Sequence, residues 1–397
     1  MTKIQIKQGW QEVKLGEVAD VTSSKRIFAS DYVDNGIPFF RSKEVINLSN
    51  GDNIATELFI TNQKYTEIKD RFGVPMKGDI LITSVGTLGV LYQVNCGDFY
   101  FKDGNLIWIK DFNNKAFSKF ILYSLKSNKN QEKLKGQAIG SSQKAFTIDL
   151  IKNFKITLPP LPIQNKIAEI LGNYDDLIEA NNRRIKILET QAAKIYTEWF
   201  VHYRYPGCEN VPLVDSGTDF GMIPQGWEVR RIGDILDTVK RKKKLLVIDY
   251  LKSGNYPIVD QGKDFFAGYT DYEEAVYAET LIVFGDHTRC FKFCNFDFAC
   301  GADGTQLLKS NKLEHISQIM LYYLVINADL KNDHYARHFK FLKSLNIVVP
   351  AKESTIKFTK IIEPFYEEIR LLNQQNQNLK KSRDLLIPQL VGGLLEV

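Results

Sequence analysis

The sequence predicts an α+β protein: two tandem-duplicated β-rich domains separated by two long helices that form an antiparallel coiled coil. Three observations carry this reading. Sequence blocks from the first half return in the same order in the second. Each half changes at a Leu-Pro or Val-Pro step from short strand-like runs to a long helical stretch. Both helical stretches repeat apolar residues every seven positions.

The 397 residues correspond to about two and a half domains on a length prior of roughly 150 residues each. Apolar residues are 44% and charged residues 25%, ordinary for a globular chain that buries real cores. The 12% aromatic content is high and calls for β-rich cores to absorb it. No stretch reaches the ~20 apolar residues of a membrane span, and the first residues lack an apolar signal core, so neither a membrane nor a secreted protein is expected. Five scattered cysteines form no disulfide framework, and a cytoplasmic location is the expectation. The net charge of +5 is compatible with a polyanionic partner without demanding one.

The repeat defines the order of elements. Gly9-Trp10-Gln11-Glu12-Val13-Lys14-Leu15-Gly16 returns as Gly226-Trp227-Glu228-Val229-Arg230-Arg231-Ile232-Gly233. Gly36-Ile37-Pro38-Phe39-Phe40 returns as Gly254 to Ile258, Gly78 to Gly86 as Glu279 to Gly285, Phe120 to Leu125 as Ile319 to Leu324, and Ile156 to Pro159 as Ile347 to Pro350. A period of about 190 residues is too long for a solenoid and indicates two similar domains. The expected boundaries are a first domain over 1–158, a helix over 159–203, a linker over 204–225, a second domain over 226–349 and a second helix over 350–397. The linker reading rests on Gly, Pro and Asp punctuation without periodicity.

Leu158-Pro159-Pro160-Leu161-Pro162 forces an extended lead-in to the first helix, expected from Ile163 to Phe200 and about 57 Å long. The second is expected from about Thr355 to Leu386, with Pro364 kinking or restarting it. Leu171, Ile178, Ile185, Ala192 and Trp199 form one seam row, and Ile167, Tyr174, Asn181, Leu188 and Ile195 the other. The second helix repeats this with Phe358, Phe365, Leu372, Leu379, Leu386 and with Ile362, Ile369, Asn376, Arg383, Leu390. In an antiparallel register Asn181 faces Asn376 as a buried pair that fixes the alignment, and Tyr174 meets Arg383.

Signatures of catalysis are missing. Leu158-Pro159-Pro160-Leu161 lacks the Asn or Asp that an adenine methyltransferase places before its Pro-Pro, and Gly136 to Ser142 has no following Lys of a phosphate loop. The Glu12-Val13-Lys14 and Glu67-Ile68-Lys69 triplets have no partner carboxylate placed for a metal-dependent nuclease. His287, Cys290, Cys294 and Cys300 lack the paired spacing of a structural zinc site and read as core filler. No cofactor and no metal are expected.

Nucleic-acid binding rests on basic and amide residues in the turns between strands. Lys240-Arg241-Lys242-Lys243-Lys244 aligns with Ser23-Ser24-Lys25-Arg26-Ile27, so that Lys25 and Arg26 match Lys242 and Lys243, suited to phosphate contacts. Further candidates are Arg41 and Lys43, Ser84 and Thr87, Ser141, Ser142, Gln143 and Lys144, Gln261 and Lys263, Thr288 and Arg289, and Arg337, His338 and Lys340.

The G-W-x-x-V-x-L-G-[ED]-[VI] run opening each half, Gly78-Asp79-Ile80-Leu81-Ile82-Thr83-Ser84-Val85-Gly86-Thr87-Leu88-Gly89, and Leu158-Pro159-Pro160-Leu161-Pro162-Ile163-Gln164-Asn165-Lys166-Ile167-Ala168-Glu169-Ile170-Leu171 resemble the DNA-specificity subunits of type I restriction–modification systems. Asp175-Asp176-Leu177-Ile178-Glu179-Ala180-Asn181-Asn182 and Glu198-Trp199-Phe200-Val201 extend the resemblance over essentially the whole chain. Pro350-Ala351-Lys352-Glu353-Ser354 departs from the proline-rich pattern at the second helix. The resemblance implies a non-catalytic reader of double-stranded DNA. Its two target-recognition domains each bind half of a split site, and two helices fix the distance between them. It also implies docking of two methyltransferase subunits and, through them, of restriction subunits. A free-standing DNA-binding regulator, a metal-dependent nuclease and a purely structural scaffold are the alternatives from other classes.

Overall fold

A computed structural model describes residues 9–51, 56–140, 144–262, 264–301, 304–331 and 337–397. The chain divides into two compact units, Met1–Asn182 with Gln375–Val397, and Arg183–Gln374. Two long helices, Leu161–Tyr196 and Lys352–Val391, contribute residues to both.

In the first unit Gln11–Lys14 pairs antiparallel with Lys155–Leu158 and ties together the ends of the β-rich segment. One antiparallel sheet runs in the order Asp20–Thr22, Leu106–Lys110, Ile80–Thr83, Leu91–Gln93. A second runs Tyr32–Val33, Phe59–Ile60, Ile37–Phe40, Tyr100–Phe101, with its last pair parallel. The strand Ile80–Thr83 is buried throughout because both faces of its sheet are covered. Ile80 and Ile82 pack with Phe120 and Ile121 of the helix Ser118–Lys126, whereas Leu81 and Trp108 meet Phe40 and Phe101 of the second sheet. The helix Asn62–Phe72 closes the far side through Tyr65 and Ile68 against Phe39 and Ile60.

The second unit repeats this plan, as a duplication requires. Glu228–Arg231 pairs with Asn346–Val349, and one sheet runs Leu236–Asp237, Thr305–Ser310, Leu281–Gly285, Phe291–Cys294. The other runs Gly268–Thr270, Tyr256–Val259, Phe298–Cys300, Val276–Tyr277, again with one parallel pair, Tyr256–Val259 on Phe298–Cys300. Tyr196, Phe200, Tyr323 and Phe358 gather here, with Tyr196 stacked on Tyr323 at 5.0 Å between ring centres and Phe200 edge-on to Phe358 at 5.0 Å. This cluster absorbs part of the aromatic excess.

Within each unit the long helices run antiparallel: Asp175 meets Arg383 and Asn181 meets Asn376 in the first, Arg184 meets Glu368 and Tyr196 meets Phe358 in the second. Every seam position named above is buried or half-buried, while off-seam Leu177, Ile187, Leu371 and Leu385 are exposed. The start of the first helix is fixed by Gln164, which is fully buried. Its amide accepts the N–H of Phe117 and donates to the carbonyls of Lys115 and Pro159, each at 2.8 Å.

Four expectations need correction. The first helix starts at Leu161 and gives way after Tyr196 to a π-type turn over Thr197–Val201. The second helix runs on through Pro364 without restarting, and Pro364 and Lys360, whose carbonyl loses its helical partner, are both exposed. It starts at Lys352 without a proline-rich lead-in, where the hydroxyl of buried Thr355 has its one proton shared between the carbonyls of His315 at 2.6 Å and Lys352 at 2.8 Å. Arg383 turns to the Asp175 carboxylate rather than to Tyr174, because a carboxylate satisfies the half-buried guanidinium better than a ring does. The linker stretch 204–225 carries a short hairpin of its own. Leu213–Asp215 and Met222–Pro224 form an antiparallel hairpin, and Tyr205 packs on Trp227.

Candidate nucleic-acid interface

In the first unit the turns that follow the strands converge on the segment 101–106. Ser23 donates to the Leu106 carbonyl at 2.8 Å and Ser24 to that of Phe101 at 2.7 Å, which sets Lys25 and Arg26 outward and exposed. The Lys25 N–H is held by the Tyr100 hydroxyl at 2.7 Å, and Arg26 pairs with Asp103 at 3.0 Å. Ser42 donates to the Asn105 carbonyl at 3.3 Å and places exposed Lys43 beside the same segment. Thr87 and Lys144 are exposed on the adjoining turns, joined where Val85 bridges Ala145. Ser141, Ser142, Gln143 and, in the other unit, Lys263 lie outside the described residues.

Two first-unit candidates have structural commitments. Ser84 is buried, its hydroxyl donating to the Gly104 carbonyl at 3.0 Å, so it shapes the turn instead of presenting a free hydroxyl. Arg41 begins the helix Ser42–Asn50 and grips Glu44: its guanidinium donates at 2.9 Å and its backbone N–H at 2.8 Å. Burial pushes the Glu44 carboxyl up, but the bonds from Arg41 outweigh it and hold the group below its ordinary value.

In the second unit the corresponding turns meet around Asp286, Gly304 and Thr305. Arg241 donates to the Thr305 carbonyl at 3.1 Å and to the Gln306 amide oxygen at 2.7 Å, anchoring the basic run. The Lys242 N–H is held by the Tyr277 hydroxyl at 2.8 Å, and its ammonium donates to the Val276 carbonyl. Lys243 pairs with Glu274 at 2.9 Å and lies 3.9 Å over the Tyr272 ring. The bond to Glu274 raises the Lys243 pKa and lowers that of Glu274. Gln261 accepts the His287 N–H at 3.3 Å through its side chain and the Thr288 hydroxyl at 2.6 Å through its carbonyl. Arg289 sits at φ 59° and donates to the Leu330 carbonyl at 3.4 Å. Arg337 and Lys340 are exposed, but His338 is buried, with Nδ1 2.9 Å from the Asp286 carbonyl. His338 therefore braces the Asp286 turn and is not a surface reader in this structure.

Sequence reading overlooked Lys292, whose only signal is a lone cation inside the apolar strand Phe291–Cys294. It also overlooked Asn182 and Gln375, which join Asn181 and Asn376 in one amide cluster and lie in amide-rich runs. Among the described residues no three His, Cys, Asp or Glu side chains gather as a metal site, and burial pushes the Cys300 thiol up to about 11. Among the same residues no helix is long and apolar enough to cross a membrane.

Residues 7–190 and 224–381 each match the type I restriction modification DNA specificity domain, and the two matches together span most of the chain. The chain belongs to this family. Its specificity-subunit relatives include the MjaIX specificity subunit of a type I restriction enzyme from Methanocaldococcus jannaschii, 26% identical over 99% of this chain and 95% of that protein. A putative type I specificity subunit from Haemophilus influenzae is 28% identical over 46% of this chain and 45% of its own length. The fold is shared with the crystal structure of a type I restriction–modification S subunit from M. genitalium, with a TM-score of 0.56 and 16% identity over 98% of both chains. The two family matches of this specificity subunit fall one on each copy of the repeat, so each loop cluster belongs to one specificity domain.

Proposed function

We propose that this specificity subunit is a non-catalytic reader of a split, gapped site in double-stranded DNA, one half read by each β-rich domain. The observation that supports it is the duplicated geometry: both units gather basic and amide turns at one end of the same pair of sheets, around the 101–106 segment in one and around Asp286, Gly304 and Thr305 in the other. Residues 1–158 and 226–349 are the two recognition domains in this reading, 159–203 and 350–397 the helices that set the gap, and 204–225 the connection. Exposed apolar side chains on the helices, Leu177, Ile187, Leu371 and Leu385, suit protein docking, and two methyltransferase subunits that recruit restriction subunits are the partners.

Methylation mapping in cells expressing the chain with its cognate methyltransferase tests the reading. A split, gapped motif is expected, and exchanging residues 9–158 for those of a relative should change one half of it. Both halves changing together, or an unmodified genome, overturns it.

A further inference from the structure

Lys292 is 5% exposed, on a strand buried between two layers. Its ammonium donates to the carbonyls of Asp260 at 2.8 Å and Asp264 at 2.5 Å, with an Asp260 carboxylate oxygen 3.9 Å away. Burying a cation is costly unless such partners are supplied. The fold itself does not call for one here. Lys292 is registered opposite Val283, and in the other copy Tyr92 is registered opposite Leu81, equally buried, with its hydroxyl on Asn95.

What the lysine holds is a built turn. The Asp260 carboxylate accepts the Gly262 N–H at 2.8 Å, and Gln261 is bonded to both His287 and Thr288. A Cβ on Gly301 would stand 2.5 Å from the Asp260 Cβ, and one on Gly285 would stand 2.9 Å from the Gln261 Cβ. The neighbouring backbone is kept bare so that this turn can lie against it.

We propose that Lys292 is a positioning residue for recognition of the second half-site, locking Asp260–Gln261–Gly262 against His287–Thr288 so that this pair of turns discriminates bases. The inference rests on the bipartite reading given above. The test compares base preferences of the full-length chain, assembled with its cognate methyltransferase, on a randomised duplex library. Lys292→Met should flatten preference about 10-fold at one or two adjacent pairs of one half-site, leaving the other half-site and the salt slope unchanged. Lys292→Arg should restore part of it. Gln261→Ala, which leaves the buried lysine in place, should flatten the same positions. A Gln261→Ala profile identical to wild type overturns the inference, as does a folded Lys292→Met chain with an unchanged profile or an equal loss in both half-sites. A wild-type chain that selects no split motif overturns the bipartite reading itself, whereas a wild-type split motif that Gln261→Ala leaves intact overturns only the inference.

Discussion

Asn181 donates its side-chain amide to the Asn376 oxygen at 2.9 Å, and both side chains are buried between the two long helices. Asn181 also donates to Gln375 at 3.1 Å, and Asn376 donates to Asn182 at 2.8 Å, so four amides close on one another. We propose that this cluster holds the register, because a slide by one heptad would set an amide against an apolar residue. Asn181→Ile alone should destabilise the chain by about 1–3 kcal/mol, the cost of leaving buried amide groups without partners. Adding Asn376→Ile should recover most of that, because Asn182 is only half-buried and can turn to water. Urea denaturation of the single and double variants measures both. A double variant no more stable than Asn181→Ile would remove the register role.

Arg41 and Glu44 give a stability prediction with a defined pH sign. Arg41→Ala leaves a carboxylate that is 1% exposed without its cation. The expected loss is about 2 kcal/mol, scaled down from a fully buried pair because the guanidinium is partly solvated. The Glu44 carboxyl is held below its ordinary value of 4.5. Its contribution is therefore complete above that value and is lost as pH falls through the lower folded value. The wild-type advantage over Arg41→Ala should shrink as the solution is acidified below 4.5. Denaturant midpoints taken at several pH values should show the two curves converging on the acid side.

Lys243 offers a test on the DNA side. It is exposed and shares its charge with Glu274 at 2.9 Å. If it meets a phosphate, Lys243→Ala should weaken binding to every duplex similarly and reduce the slope of log affinity against log salt by about 1. Glu274→Gln should strengthen binding to all duplexes alike by releasing the lysine. A change confined to one sequence, with the slope intact, would make Lys243 a base reader instead.

Gln164 anchors the first helix without touching the loop cluster. Gln164→Ala strands the Phe117 N–H and the Lys115 and Pro159 carbonyls, and should cost about 3 kcal/mol. Gln164→Glu keeps the acceptor for Phe117 but loses both donated bonds, so it should not rescue. Thermal unfolding of the two variants measures the difference.

The duplication, the strand-to-helix switch and the heptad seams were legible in the residues because each is written as a pattern of residue types along the chain. The sevenfold rows from Leu171 and Phe358 show a period on the helices, whereas Ile80–Thr83 and Leu281–Gly285, covered on both faces, read as short continuous apolar runs. The Asn181–Asn376 pairing was also legible, since two polar residues at seam positions match in only one register. That the helix continues past Pro364 instead of restarting there was not, because propensity weighs the missing hydrogen bond but not which side of the helix meets water. Residue type marked Ser84, His338 and Arg41 as surface readers, while tertiary structure committed them to Gly104, Asp286 and Glu44. Lys292 is the converse: a lysine in an apolar strand has no visible purpose until folding brings Asp260 and Asp264 to it. The sequence by itself determined which elements form and how often they repeat. Only the tertiary structure decided which polar groups in the turns are spent on one another and which are left to face a ligand, because that depends on partners distant in the chain.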